Sequence, residues 1–210
     1  MTTTQTPTPT LAAQVSFRPV QESYLERCIE IETESYPADE AASPEALRYR
    51  QAHAGDYFLC ACLESAGGPS QVIGFVCATR CDAFTHDSMA THNPEGKLLA
   101  IHSVVVDAAY RRKGIASRML RAYVQHVQRL ATTIPAAAKS SPSSIQNIHQ
   151  MVLLAKAHLL GFYVQAGFAV IRPSPIVHGQ NLWYELSQRI ISVQRAPCAV
   201  LAAFARKPGT

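Results

Sequence analysis

The segment at 104–120, VVVDAAYRRKGIASRML, combines residue types that can hold an anion. Three cations at 111–113 come directly before Gly114, and an amphipathic helix begins at the residues that follow. The first turn of a helix has unbonded N–H groups and the positive end of the dipole, and glycine lets a ligand approach the backbone closely. Cations oppose the dipole at that end, so helix stability gives no reason for three of them. The pattern therefore favours a bound diphosphate over an unliganded basic helix start.

Other kinds of phosphate and metal site fit the sequence less well. Neither of the glycine-rich nucleotide motifs, G-x-G-x-x-G and G-x-x-x-x-G-K-[ST], occurs. The cysteines lack the C-x-x-C spacing of zinc and redox sites, and they stand at 28, 60, 62, 77, 81 and 198. We therefore expect reduced, buried cysteines in a reducing cytosol, and no bound metal.

Length, composition and charge limit the class of protein. The chain has 210 residues, 48% of them hydrophobic and 16% charged, which suits one domain with a sizeable core. The net charge is +4 and the sequence has no long Lys/Arg block, so the charge pattern does not indicate nucleic-acid binding. No run approaches the roughly 18 apolar residues of a membrane helix, and the Thr/Pro-rich start lacks the apolar core of a secretory signal. We expect a cytoplasmic monomer that binds neither nucleic acid nor membranes.

Hydrophobic periodicity predicts strands and helices in alternation. Strands are predicted at 15–20, 57–63, 72–79, 97–106, 151–155, 168–171 and 182–186. Helices are predicted at 25–36, from 44 onward, at 115–130 and at 158–165. The order β-α-α-β-β-β-α-β-α-β-β indicates a single α/β or α+β domain with a mixed sheet. We assign this domain to 15–188, with a disordered segment at 1–14, a flexible insertion at 131–148 and a tail at 189–210.

Residues 111–116, R-R-K-G-I-A, match R/Q-x-x-G-x-G/A, so the segment resembles the cofactor loop of the GNAT acetyltransferases. Four stretches further resemble the arylalkylamine N-acetyltransferase branch of that family, nearer its bacterial and fungal members. They are ESYPADEAAS (34–43), NPEGKLLAIHS (93–103), IHSVVVDAAYRRKGIA (101–116) and AHLLGFYVQAGF (157–168). The resemblance covers roughly residues 15–188 and implies the acyl-CoA N-acyltransferase fold.

The resemblance also implies acetyl-CoA as a co-substrate. The glycine loop would wrap the pyrophosphate, and the pantetheine arm would pair with the preceding strand. The implied cofactor contacts are Val104, Val105, Val106, Arg111, Arg112, Lys113, Gly114, Ile115, Ala116, Ser117 and Tyr163. Backbone N–H groups at 104–106 would polarise the acetyl carbonyl.

Two side chains are candidates for moving protons. An alkylamine is almost wholly ammonium at neutral pH, so it must lose a proton before it attacks a thioester. By resemblance, His102 is the catalytic base and Tyr163 is the acid that protonates the leaving thiolate. Animal relatives carry a His-x-His pair here, but Ala100 replaces its first member, so His102 acts alone or shares the task with water and backbone carbonyls. Read without the resemblance, both side chains also fit structural roles in the core.

The 34–43 segment is the predicted amine pocket. Tyr36 and Pro37 are expected to contact an aromatic ring, and Asp39 or Glu40 to attract the ammonium group. Leu154 is expected on the far side of the pocket by family position. The alternative is a solvated acidic loop that binds nothing.

Three functions remain open from the sequence. The first is acetyl transfer to the primary amine of a small arylalkylamine such as serotonin or tryptamine. The second is a GNAT enzyme for a protein N-terminus, a lysine side chain or a polyamine, and the third is a non-catalytic acyl-CoA-binding module. The 34–43 segment favours the first over the second. The presence of both His102 and Tyr163 argues against the third.

Overall fold

The computed structural model describes residues 14–65, 67–132, 147–176 and 180–190. The strands in these ranges are β1 Val15–Pro19, β2 Phe58–Leu63, β3 Gln71–Cys81, β4 Leu98–Val106, β5 Gln150–Lys156, β6 Ala169–Pro173 and β7 Trp183–Arg189. The α-helices are α1 Leu25–Ser35, α2 Pro44–Ala54, α3 Ile115–Thr132 and α4 Leu160–Val164. None of these helices is long and apolar enough to cross a membrane. Outside the described residues lie 1–13 of the predicted disordered start, 133–146 of the predicted insertion and 191–210 of the predicted tail.

The strands form one seven-stranded sheet in the order β1-β2-β3-β4-β5-β7-β6. Neighbouring strands are antiparallel except β4 and β5, which run parallel. The element order predicted from the sequence is confirmed, and so is the α/β class with one mixed sheet. The order along the chain does not predict that β7 lies between β5 and β6, because that placement depends on pairing between distant segments.

Local sequence signals set the ends of the first two helices. Helix α1 ends at Ser35, and the next residue, Tyr36, is extended because a residue that precedes proline avoids the helical region. Helix α2 begins after Ser43, whose hydroxyl oxygen accepts the Ala46 N–H at 3.2 Å, and Pro44 occupies the first helical position. These two ends fix the loop that carries the predicted amine-pocket segment.

Helices cover both faces of the sheet. The apolar stripe of α3 packs on one face, where Met119, Tyr123 and Val127 are fully buried. Helices α1 and α2 cover the other face, where Ile31 and Leu47 are fully buried. The strands between them are therefore apolar on both sides, as the run of valines at the end of β4 predicts.

Every described cysteine is a buried, free thiol, and these are Cys28, Cys60, Cys62, Cys77 and Cys81. Cys60 and Cys62 share a face, as their spacing predicts, and their Sγ atoms lie 3.5 Å apart. Cys198 lies outside the described residues. The thiols that the structure describes therefore serve as small core side chains.

Strand β4 lies at the centre of the sheet and opens a gap beside β5. The two strands pair over only four residues, and the pairing ends at Ile101 and Leu153. Strand β5 continues to Lys156 alongside β7, so β4 and β5 separate after that point. The register between β3 and β4 skips His102, which makes it the extra residue of a β-bulge. The bulge and the separation together place residues 102–106 along an open gap.

Candidate functional site

A cleft of about 760 Å³ opens between the end of β4, the start of α3 and α4. It is lined by Val104, Val106, Tyr110, Arg111, Arg112, Gly114, Ile115, Ala116, Ser117, Leu159, Gly161, Phe162, Tyr163 and Gln165. The predicted cofactor residues all line this cleft except Val105 and Lys113. The Val105 side chain instead packs in the core beneath α1, because alternate residues of a strand face opposite sides of the sheet.

The turn before α3 has a backbone conformation suited to an approaching ligand. Gly114 has φ +74°, and a Cβ added there would meet nothing within 4 Å. Arg112 has φ +62°, a left-handed conformation that non-glycine residues adopt rarely. The first helical hydrogen bond runs from the Arg118 N–H to the Gly114 carbonyl at 3.2 Å. The N–H groups of the residues between these two therefore have no acceptor within the helix and point out of its end.

The three cations before α3 have different surroundings. Arg111 donates from Nε to the Val106 carbonyl and from Nη2 to Ser35 Oγ, both at 2.8 Å, so it ties the turn to β4 and α1. Lys113 donates from Nζ to the Ala109 carbonyl at 2.8 Å, and it lies outside the cleft. Arg112 is exposed and lines the cleft. Of the three, Arg111 shapes the cleft wall and Arg112 adds positive charge at its mouth.

The edge of β4 that faces the gap has backbone groups without a strand partner. The Val104 carbonyl accepts a hydrogen bond from Tyr36 Oη at 3.4 Å, and the Val106 carbonyl accepts the bond from Arg111. The N–H and C=O of one residue in a strand point to the same edge, so the Val104 and Val106 N–H groups also face the gap. An extended ligand in the gap could pair with them as a neighbouring strand would.

A second, smaller cavity of about 230 Å³ lies on the other side of this gap. It is lined by Glu32, Ser35, Tyr36, Pro37, Glu40, Met89, Ile101, His102, Val104, Leu153, Leu154, Lys156, His158, Leu159, Tyr163 and Trp183. The predicted pocket residues Tyr36, Pro37, Glu40 and Leu154 are among them. The cleft and the cavity share Val104, Leu159 and Tyr163, so they meet beside the gap edge of β4.

His102 lines the cavity at the β-bulge. Its Nε2 lies 2.7 Å from Thr79 Oγ1, whereas its buried Nδ1 has no hydrogen-bond partner among the described residues. Burial, with a smaller contribution from the Arg50 guanidinium, lowers the pKa of His102 well below its usual value. The imidazole is therefore neutral at neutral pH.

Tyr163 lies on α4 where the cleft and the cavity meet. It is buried, and its ring makes edge contacts with Phe162 and Phe168 at centroid distances of 4.9 and 6.0 Å. Burial raises the pKa of Tyr163 well above its usual value. The phenol is therefore protonated at neutral pH.

The carboxylates near the cavity have different positions from those the sequence suggests. Asp39 is exposed and does not line the cavity. Glu40 does line it, but its Oε1 accepts hydrogen bonds from Lys156 Nζ at 2.7 Å and from Asn181 Nδ2 at 2.9 Å. Sequence reasoning missed Glu32, a buried carboxylate in the cavity wall. The signal was present, because Glu32 occupies the next position of the apolar stripe Leu25, Cys28, Ile29.

Solved structures with the same architecture come from several organisms. The loading GNATL domain of CurA from Lyngbya majuscula is 13% identical with a TM-score of 0.65, over 84% of this chain and 98% of that one. Arabidopsis thaliana NAA60 in complex with a bisubstrate analogue is 21% identical with a TM-score of 0.57, over 83% and 97%. A phosphinothricin acetyltransferase from Sinorhizobium meliloti, in complex with acetyl-CoA, is 17% identical with a TM-score of 0.57, over 90% and 96%. At these identities the likeness shows a shared fold.

A family model for the acetyltransferase (GNAT) family matches residues 25–145, which is more than half of the chain. The matched range contains the bulged strand, the cationic turn and the start of α3. A match of this kind indicates acyltransferase activity. Because it covers more than half of the sequence, the chain belongs to the GNAT family of acetyltransferases.

Proposed function

We propose that the protein is an acetyl-CoA-dependent N-acetyltransferase for a small arylalkylamine of the serotonin or tryptamine type. The observation that carries the proposal is that the cleft and the cavity meet at Val104, Leu159 and Tyr163. Ligands bound on the two sides would have their reacting ends in one connected space. That arrangement suits direct attack in a ternary complex, in which positioning supplies much of the rate enhancement.

The cleft fits coenzyme A in its chemistry and its shape. The free N–H groups at the start of α3, together with Arg112, suit a pyrophosphate. The gap beside β4 suits an extended pantetheine arm, because the Val104 and Val106 N–H groups face it. Acetyl-CoA would supply the reactive thioester at the inner end of this cleft.

Two residues supply the proton transfers in this proposal. We assign the hydrogen of neutral His102 to Nε2, which donates it to Thr79 Oγ1, so that Nδ1 has the lone pair. Nδ1 takes a proton from the ammonium group, which gives the amine nitrogen the lone pair that attacks the acetyl carbonyl. The second proton of that nitrogen passes to water as the new N–C bond replaces the C–S bond. Tyr163 gives its proton to the departing thiolate as the C–S bond breaks. The opposite pKa shifts of the two groups keep His102 neutral and Tyr163 protonated before the reaction.

The lining of the cavity supports a small aromatic acceptor. Tyr36, Pro37 and Trp183 present aromatic and rigid apolar surfaces, and Leu154 adds an aliphatic one. Pockets for small molecules combine such surfaces with a few polar groups. A cavity of about 230 Å³ leaves little room for a folded polypeptide acceptor.

A turnover assay with a panel of amines tests the proposal. The purified protein is given acetyl-CoA with tryptamine, putrescine, a lysine peptide or a peptide with a free N-terminus, and the acetylated products are identified by mass. We expect the highest kcat/KM for tryptamine. A preference for either peptide or for putrescine would contradict the acceptor assignment, and absence of turnover with every amine would contradict the enzymatic assignment.

A further inference from the structure

Glu32 is a buried carboxylate in the cavity wall that takes no part in the proton transfers described above. Only 2% of the residue is exposed. Its Oε1 accepts hydrogen bonds from Ser103 Oγ at 2.9 Å and from the Ala42 N–H at 3.0 Å. Its Oε2 is also buried, and no described residue donates a hydrogen bond to it. A buried acceptor without a donor is costly, so one is expected to be retained where a ligand satisfies it.

The cations near Glu32 are bonded elsewhere. Arg50 is buried and its charge acts on Glu32, but its guanidinium donates to Cys77 Sγ at 3.8 Å and to the Met89 carbonyl at 3.4 Å. Lys156 pairs with Glu40. Burial raises the pKa of Glu32, and the Ala42 N–H, the Ser103 hydroxyl and the Arg50 charge oppose that rise. Because no described residue donates to it, Oε2 offers an acceptor to a cationic group that enters the cavity.

We propose that Glu32 anchors the acceptor amine by accepting a hydrogen bond from its ammonium group, so that the cavity selects cationic acceptors. His102, which also lines the cavity, has a buried Nδ1 with no hydrogen-bond partner among the described residues. An ammonium group has three donors, so it can bond to Glu32 Oε2 and still direct a second N–H to His102 Nδ1. The inference rests on the acceptor side of the proposed function, but not on the aromatic character of the acceptor.

The variant Glu32→Gln tests the anchor with little change in shape. Its amide oxygen can still accept from Ser103 and Ala42, whereas an NH₂ group replaces the charged oxygen. We expect KM for tryptamine to rise about 10- to 100-fold, as for the loss of a hydrogen bond to a charged group. The fall in kcat should be smaller, because the anchor acts on the bound ammonium before its proton leaves. The control is Glu30→Gln, an exposed carboxylate on the same helix and outside the 34–43 segment, which should leave KM unchanged.

A comparison of two ligands separates anchoring from a structural role. Tryptophol has a hydroxyl in place of the amine of tryptamine, and both are titrated into wild type and Glu32→Gln saturated with coenzyme A. We expect wild type to bind tryptamine about 10- to 100-fold more tightly than tryptophol, and Glu32→Gln to lose that preference. Equal weakening of both ligands, or an unchanged preference, would overturn the anchor.

Failure of the proposed function gives a different result. A wild type that binds acetyl-CoA but acetylates another amine of the panel contradicts the arylalkylamine assignment only. The same comparison is then made with that amine and its alcohol analogue, and the expected loss of preference in Glu32→Gln is the same. A wild type that binds no amine more tightly than its alcohol overturns the anchor whether or not Glu32→Gln folds.

Discussion

The cleft takes most of its wall from one contiguous segment, 104–117. The cavity takes its wall from many separate elements, among them α1, the loop after it, β4, β5, α4 and β7. The cleft presents backbone N–H groups and exposed cations at a helix end. The cavity presents buried side chains, among them Glu32 and His102, whose Oε2 and Nδ1 atoms have no hydrogen-bond partner among the described residues. Backbone groups suit a ligand common to a whole family, and side chains suit one that differs between its members. We therefore expect substitutions in the cleft to change the binding of acetyl-CoA, and substitutions in the cavity to change the binding or the reaction of the amine.

The largest expected effect comes from Gly114→Asp in the cleft. The added carboxylate would repel the pyrophosphate and occupy its space, so we expect acetyl-CoA affinity to fall by more than about 1000-fold. Asp tolerates the left-handed backbone better than most residues, and a Cβ at this position meets no protein atom, so the fold should persist. Gly67→Asp is the matched control, because Gly67 has φ +83° and equally open surroundings. Calorimetry that finds equal acetyl-CoA affinity in the two variants would place the cofactor elsewhere.

His102→Gln tests the cavity side, where the expected effect is on chemistry. We expect kcat at neutral pH to fall about 100- to 1000-fold with little change in acetyl-CoA affinity, because a general base is lost. Activity should recover at high pH, where more of the amine is already unprotonated. His149→Gln, an exposed histidine, is the control. A loss that is equal at every pH would show that His102 is not the base.

The pH profile of the wild type tests whether the pKa of His102 is lowered by burial. A base whose pKa is lowered keeps its unprotonated form as the pH falls through the usual histidine value of 6.5. Its contribution is lost only as the pH falls through the lowered pKa. The profile of kcat should therefore show no His102 titration near pH 6.5, and a titration there that disappears in His102→Gln would contradict the burial argument.

Tyr163→Phe tests the point where the two regions meet. Removal of the hydroxyl leaves the ring contacts with Phe162 and Phe168, so the local packing should remain. We expect kcat to fall about 10- to 100-fold, with acetyl-CoA affinity nearly unchanged, because an acid is lost. Tyr184→Phe, on β7, is the control for removal of a phenol hydroxyl. A large loss of acetyl-CoA binding in Tyr163→Phe would instead indicate a structural role.

Thr79→Val should have the smallest effect. The change removes the hydroxyl that bonds to His102 Nε2 at nearly constant volume. We expect kcat to fall about 5- to 10-fold through weaker orientation of the imidazole, with KM for the amine unchanged. Steady-state kinetics that show a larger effect on KM than on kcat would count against Thr79 as a positioning residue.

The sequence predicts the cleft better than the cavity for a physical reason. A strand, a cationic turn and a helix start are local features, and residues 104–117 contain all three. The separation of β4 from β5 and the bulge at His102 depend on strand pairing, which a single sequence does not display. The carboxylates show the same limit, since Asp39 lies in the predicted segment but outside the cavity, whereas Glu32 lies on the buried stripe of α1. A charged residue at a core position of α1 is the sequence signal for Glu32, whereas an acidic loop alone does not indicate which of its carboxylates face a cavity.

We propose that the cleft and the cavity hold two substrates at once and that acetyl passes directly between them. Initial rates measured while both acetyl-CoA and tryptamine are varied test this directly. We expect intersecting double-reciprocal lines, as when both substrates must be bound before a product leaves. Parallel lines, together with a protein whose mass increases by one acetyl group when it is mixed with acetyl-CoA alone, would contradict it.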